Sequence, residues 1–391
     1  MNTGLMHRFS SWGAIALAAA LAMGTASRGF AQMSASIPFT DLADCGGFVD
    51  PIAEAYLTGL TNGTSATTFS PTGLVNREQM AAFVTRTLDS SVSRTIVRAS
   101  LGQWAVPKSI LQMATTSLGG VLMNTVSDGP DVWVADSSGG RVLKIQGSTG
   151  RLLETWTGAT GAFSMVSAMG KIFVISNSGA LYQIDPQNAP GAVTVISTTA
   201  PLLAGPTSIL FDGSQLWVIG YSGVSLVHPR SGPWSVTTYT DGFSALTGAI
   251  FDGNHVWVTD FNAGTLLELN EYANVIRTVA VGKNPMYPVF NGTNIFVPCF
   301  SDDSVAVVHV SSGALMTTIT GNGLSGPESA AFDGDKILVT NFSGDSVSVW
   351  KSTTLAPLGA IDMGTDSFPT FVSSNGVNFF ITLQSGTLAR F

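Results

Sequence analysis

Across residues 94–391, apolar positions fall in short runs separated by turns rich in Gly, Asp, Asn and Ser. The runs repeat. Turn pairs occur at Asp128-Gly129, Met169-Gly170, Asp212-Gly213, Asp252-Gly253, Asn291-Gly292, Asp333-Gly334 and Asn375-Gly376, spaced by 41, 43, 40, 39, 42 and 42 residues. Four extend to Phe-Asp/Asn-Gly, beginning at Phe211, Phe251, Phe290 and Phe332. Shortly after each turn comes a large apolar residue: Trp133, Phe173, Trp217, Trp257, Phe296, Leu338 and Phe380. Its neighbours alternate or are β-branched, as in DVWVAD, QLWVIG and HVWVTD, and a second run follows (RVLKI, VSLVH, TLLEL). Most units add a third run, such as LLETW, SVTTY or VIRTV. These are strand patterns, and Asp-Gly and Asn-Gly predict two-residue hairpins with positive φ at both central positions.

Counting the run that leads into each turn (PTSILF, TGAIF, ESAAF), every unit holds about four short strands. A four-stranded sheet recurring at this period is the blade of a β-propeller. The reading is therefore a mainly β protein with a seven-bladed ring. Stacking buries both faces of each sheet, which accounts for strands apolar at nearly every position. After Asn375-Gly376 only two strands remain, VNFFITL and TLARF, so a strand from upstream has to complete that sheet. We assign this to residues 94–102, with Thr95–Leu101 (TIVRASL) as the closing strand and 103–118 as a connection of uncertain register. A closed ring leaves no sheet edge open to other chains.

Charged residues make up 11% of the 391, against roughly 25% in an average globular protein. Gly, at 43, and many Ser and Thr residues replace them, which excludes a coiled coil and an intrinsically disordered chain. The net charge of −8 disfavours anionic partners and excludes a basic nucleic-acid binder. Two cysteines, Cys45 and Cys299, make no disulfide framework; they pair only if the N-terminal segment folds onto the ring.

At the start, Arg8, the apolar run Trp12–Met23 and small residues at Gly29 and Ala31 form an export signal over residues 1–31. The run is too short to span the roughly 30 Å of bilayer hydrocarbon, so the chain is not expected to span a membrane. Residues 36–90 differ from the rest. Asp50 caps a helix begun by Pro51, and a second helix starts at Asn76 with Gln79 as capping-box partner, burying Met80, Phe83, Val84 and Leu88.

Two resemblances follow from these residues. GPTSILFDGSQLWVI, HVWVTDFNAGTLLEL and GPESAAFDGDKILVTNFSGDSVSVW resemble YVTN/NHL-type and streptogramin-lyase-like propellers of exported proteins. Phe39-x-Asp41, Ile52, Gly59, Phe69-x-Pro71 and Asn76-Arg77-Glu78-Gln79 resemble one S-layer homology module, with the acid of the last motif displaced by one position. The second resemblance implies attachment to envelope polysaccharide, with Arg77 and Asp41 as glycan-binding residues. An Arg suits an acidic sugar substituent because its planar fork donates two hydrogen bonds. The first implies histidines and a bound Mg²⁺ on the ligand rim. Here His228, His255 and His309 project away from that rim, so the lyase is not expected.

The loops on the expected ligand rim supply acids and amides. Asp136, Asp260 and Asn341 each lie seven residues past their turn glycine, with Tyr221, Asp302 and Glu328 nearby in the pattern. A ring of oxygens suits Ca²⁺ or Mg²⁺, but strand-end capping is the simpler use, and no cofactor is assigned. No GxSxG, HExxH, Walker or GxGxxG motif occurs. The expectation is an exported protein of the cell surface, periplasm or medium that binds envelope polysaccharide or surface proteins. The alternative is a metal-assisted lyase or hydrolase working with the rim carboxylates.

Overall fold

The computed structural model describes residues 39–42, 52, 65, 67–70 and 113–391. The chain divides into two compact units, Met1–Arg98 and Ala99–Phe391. In the first, Phe39, Leu42 and Ile52 are buried together with Phe69 packed against them, and the Phe39 and Phe69 ring centroids are 5.6 Å apart. The export signal, the two expected helices apart from Ile52, Cys45 and Arg77 lie outside the described residues. Among the described residues, no helix is long and apolar enough to cross a membrane.

The second unit is a ring of seven four-stranded antiparallel sheets. The first blade shows the pattern: Leu122–Ser127, Val132–Asp136, Arg141–Ile145 and Leu152–Thr157, in sheet order. The next five blades begin with strands starting at Ala162, Pro206, Leu246, Val289 and Pro327. The seventh comprises Pro369–Ser374, Phe379–Leu383 and Thr387–Arg390, and its outer place is filled by Ala114–Ser117, paired Ala114↔Arg390 to Ser117↔Thr387. This corrects the assignment to Thr95–Leu101, which lies outside the described residues. The outermost strand of a blade is mostly exposed, so the short polar stretch ATTS fits where an apolar run such as TIVRASL was expected.

Second strands are buried almost along their whole length because they are covered on both faces; every residue of Val132–Asp136, Leu216–Gly220 and Val256–Asp260 is buried. The core divides into seven apolar clusters, each shared by one pair of consecutive blades, including the seventh with the first. The large residue of each repeat is the peg between blades: Trp133 packs against the second blade, Phe173 against the third, Trp257 against the fifth and Phe380 against the first. Where the peg is Trp and the turn begins with Asp, the indole Nε1–H donates to that carboxylate: Trp133 to Asp128 (2.7 Å), Trp217 to Asp212 (2.6 Å) and Trp257 to Asp252 (2.7 Å).

Polar stitches link successive blades. Thr207 donates to Leu246 O (3.3 Å), Thr247 to Pro285 O (2.9 Å) and Thr340 to Thr370 O (2.7 Å). Thr125 donates to Ser373 Oγ (2.7 Å), a hydrogen bond between the first blade and the last. The turns differ from expectation. Only Met169-Gly170 is a two-residue loop with both φ positive, at 52° and 69°. In Asp212–Gln215 only Gly213 is left-handed, at 98°, because the Asp212 carboxylate accepts the Ser214 and Gln215 N–H groups and shapes a longer loop.

Candidate functional site

Strand register brings the expected rim residues to one end of the ring. Asp136 pairs with Leu122, Asp260 with Leu246 and Asn341 with Pro327, at the start of each first strand. Asp136 is fully buried and accepts from Arg141 Nε (2.7 Å), the Gly139 N–H (2.9 Å), the Val121 N–H (3.2 Å) and Ser138 Oγ (3.2 Å). Asp260 accepts from the Ser244 hydroxyl and from the N–H groups of Ser244 (2.8 Å), Ala245 (3.2 Å) and Ala263 (3.2 Å). Burial by itself would raise both carboxyls, but these donors outweigh it and hold both below the usual carboxylate range. Their stabilisation is present above the unfolded-state carboxylate range and is lost as pH falls through the depressed values.

The amide of Asn341 donates to Ser346 Oγ (3.1 Å) and Ser348 Oγ (2.7 Å). Asp302 accepts the Lys283 N–H (2.8 Å), Asp303 the Gly326 N–H (2.7 Å), and Asp345 those of Asp366 and Phe368 (both 2.9 Å). Asp303 and Asp345 thus tie one blade to the next. Tyr221 stands in its turn with 57% of its surface exposed.

A hard cation needs several oxygens free to face it. These carboxylates face N–H and O–H donors instead. Among the described residues no three His, Cys, Asp or Glu gather as a metal-holding group, so the rim acids do not fit a Ca²⁺ or Mg²⁺ site. Replacing Asp260 by Asn should lower stability by about 1–3 kcal/mol, since at least one donor of the loop is left without an acceptor. Thermal unfolding should show that loss equally with EDTA, Ca²⁺ or Mg²⁺. Stabilisation of the wild type, but not of the variant, by a divalent ion would contradict this account.

Glu328 differs from the other rim residues. It is the second residue of its first strand, at the position where other blades carry Met123, Phe163, Thr207, Thr247 and Thr370. Among the described residues no hydrogen bond or ion pair holds its carboxyl, and burial pushes it up to about 8. Its backbone O accepts the Tyr287 N–H of the preceding blade (3.0 Å). The Tyr287 ring lies 4.6 Å from that of Phe371, which meets Phe163 edge-on at 6.0 Å. These rings come from the fifth, seventh and second blades, so they join across the centre. Sequence patterns missed this cluster because each member lies in a different repeat.

The histidines lie at the Asp-Gly end, as expected: His255 precedes Val256 while Asp260 closes the same strand, and His228 and His309 end third strands. Sequence reading also missed the surroundings of His255. Its Nδ1 lies 2.8 Å from the buried Glu268 carboxylate, which Arg277 approaches at 3.2 Å, beside a cleft of about 190 Å³ that includes Asp212 and Glu271. Cys299 is a free, buried thiol that burial raises to about 11, and a Cβ on Gly282 would lie 2.9 Å from its sulfur. It is a small filler in a tight place.

In the first unit, the Asp41 carboxylate accepts the N–H groups of Phe69 (2.9 Å) and Ser70 (2.7 Å), which hold it below its ordinary value. It fastens the Phe69–Ser70 bend, where Ser70 has φ 56°.

Residues 38–81 match the S-layer homology domain. In fold, the chain is similar to a streptogramin B lyase (11% identity, TM-score 0.59, covering 71% of this chain and 97% of that one). It is also similar to a catalytically inactive His-to-Ala variant of virginiamycin B lyase from Staphylococcus aureus with quinupristin (11%, 0.60, 71% and 98%). A third similar structure is the WD40 β-propeller domain of Doa1 (13%, 0.58, 71% and 95%). No curated protein matches the sequence. At these identities the structural likeness is one of fold, and propellers host many unrelated activities. The chain carries an S-layer homology domain at residues 38–81, followed by a seven-bladed β-propeller similar in structure to streptogramin B lyase.

Proposed function

We propose that this is an exported cell-envelope protein whose S-layer homology domain holds it to envelope polysaccharide and whose propeller is displayed as a binding or scaffolding ring. The observation that carries the reading is the match of residues 38–81 to that domain. In this reading Arg77 supplies the glycan contact. Asp41 contributes by setting the Phe69–Ser70 bend, because its oxygens already accept backbone N–H groups. The leader over residues 1–31 supports export. The rival, a metal-assisted lyase or hydrolase, draws no support from rim acids engaged by donors.

Co-sedimentation of the full chain with purified peptidoglycan–polysaccharide sacculi tests the proposal. The wild type should pellet with sacculi, and Arg77→Ala should weaken retention about tenfold, as loss of a bidentate charge-assisted contact does. Absence of wild-type binding, or full retention of Arg77→Ala, would sink the attachment reading.

A further inference from the structure

An acid in a protein interior ordinarily has a partner, and one without a partner calls for an explanation. Glu328 sits on the innermost strand of the sixth blade, between the strand regions carrying Tyr287 of the fifth and Phe371 of the seventh. Phe163 reaches Phe371 from the second blade. Phe163, Tyr287 and Glu328 each retain partial exposure, so solvent-sized groups reach them, whereas Phe371 behind them is 2% exposed. Aromatic faces carry negative π density, and with an acid beside them they recognise organic cations. A hydrated metal ion gains little from such walls.

The electrostatic setting has the same sign. The rim at this end carries Asp302, Asp303, Asp345 and Asp366 against Lys283 and the paired Arg141, on a chain of net charge −8. Such a rim concentrates cations at its mouth.

We propose that the inner mouth of the ring binds an alkylammonium group, with Glu328 as its counter-ion and Tyr287 and Phe163, backed by Phe371, as its aromatic walls. The group is a primary amine on a slender alkyl arm, whether a lysine side chain or a small amine. Binding replaces the proton that burial favours on Glu328 by the ammonium charge. Of the titratable groups around it, Tyr287 is the one close enough for the Glu328 charge to act on it, and Tyr221 lies near Tyr287. The facing strand Pro369–Ser374 contributes none. Burial raises Tyr287 well above the ordinary phenol value, so Glu328 is the group of this cluster that titrates between pH 6 and 9.

The probes are butylammonium chloride, isosteric butanol and a lysine-containing tetrapeptide, each titrated calorimetrically into the full chain at constant ionic strength. Butylammonium should bind at least tenfold more tightly than butanol, and its affinity should rise roughly twentyfold between pH 6.5 and 8.5 as the carboxylate forms. Glu328→Gln should abolish the preference for the amine, and Phe163→Leu should weaken amine binding about threefold. Tetrapeptide binding comparable to butylammonium points to a protein source of the amine, and binding of butylammonium alone to a small molecule. Equal affinity for amine and alcohol, or unchanged amine binding by Glu328→Gln, overturns the proposal. That outcome leaves sacculus binding, and so the attachment reading, untouched.

Discussion

Trp257→Ala should lower the stability of the propeller by about 3–5 kcal/mol, the range for deleting a large buried aromatic, which corresponds to roughly 10 °C in Tm for a domain of this size. Trp257 is 0% exposed and stands in the cluster shared by the fourth and fifth blades. Its indole donates to Asp252 at 2.7 Å, and the Arg277 guanidinium lies over the ring at 6.0 Å. Truncation therefore opens a cavity at an inter-blade interface and removes a charge-assisted hydrogen bond. Trp257→Phe separates the two effects. It keeps most of the packing and loses the donor, so it should cost only about 1–2 kcal/mol. Chemical unfolding followed by circular dichroism gives both numbers. If alanine costs no more than phenylalanine, the peg is not what holds these blades together.

Glu328→Gln should act in the opposite direction, with a gain that grows as pH rises from about 4.5 to about 8. The unfolded carboxyl loses its proton near 4.5, whereas in the folded ring burial holds it until about 8. Between those values the native state binds the extra proton, so stability falls as pH rises and levels off above the folded value. A neutral amide escapes that loss. The variant should match the wild type near pH 4 and exceed it by on the order of 2–3 kcal/mol at pH 8.5. The rim acids behave inversely, since Asp136 and Asp260 stabilise above the carboxylate range and fail in acid. Unfolding curves at both pH values discriminate. A pH-independent difference between variant and wild type would mean that Glu328 is not held protonated by burial.

Much of the architecture was legible because a propeller is built from local rules repeated. A hairpin turn, a peg and alternating strands lie within one unit, so the spacing of Asp212-Gly213 and Asp252-Gly253 already gave the blade. The same holds for the Asp–Trp hydrogen bond, which links residues five apart, although only the structure showed it. Less legible was anything joining different units. The fifth blade's first strand shrinks to Val289–Phe290 because Pro285 and Pro288 lack the N–H that a ladder needs. The strand that completes the last sheet came from Ala114–Ser117 because an outer strand asks for little hydrophobicity, and an exposed polar stretch leaves almost no mark in the pattern. The rim acids Asp136 and Asp260 were found by their position, yet their donors identify them as loop fasteners.

By itself the sequence determined the number of blades, their strand order and the pegs between them, since burial on both faces imposes a local, periodic hydrophobic code. Tertiary structure alone decided which strand closes the ring and which carboxylates find donors. It also placed an unpartnered Glu328, on its blade's first strand, in the neighbourhood of Tyr287, Phe371 and Phe163. The reason is geometric: those relations are made across the ring, between residues far apart in the chain, and closure of the circle is what brings them together.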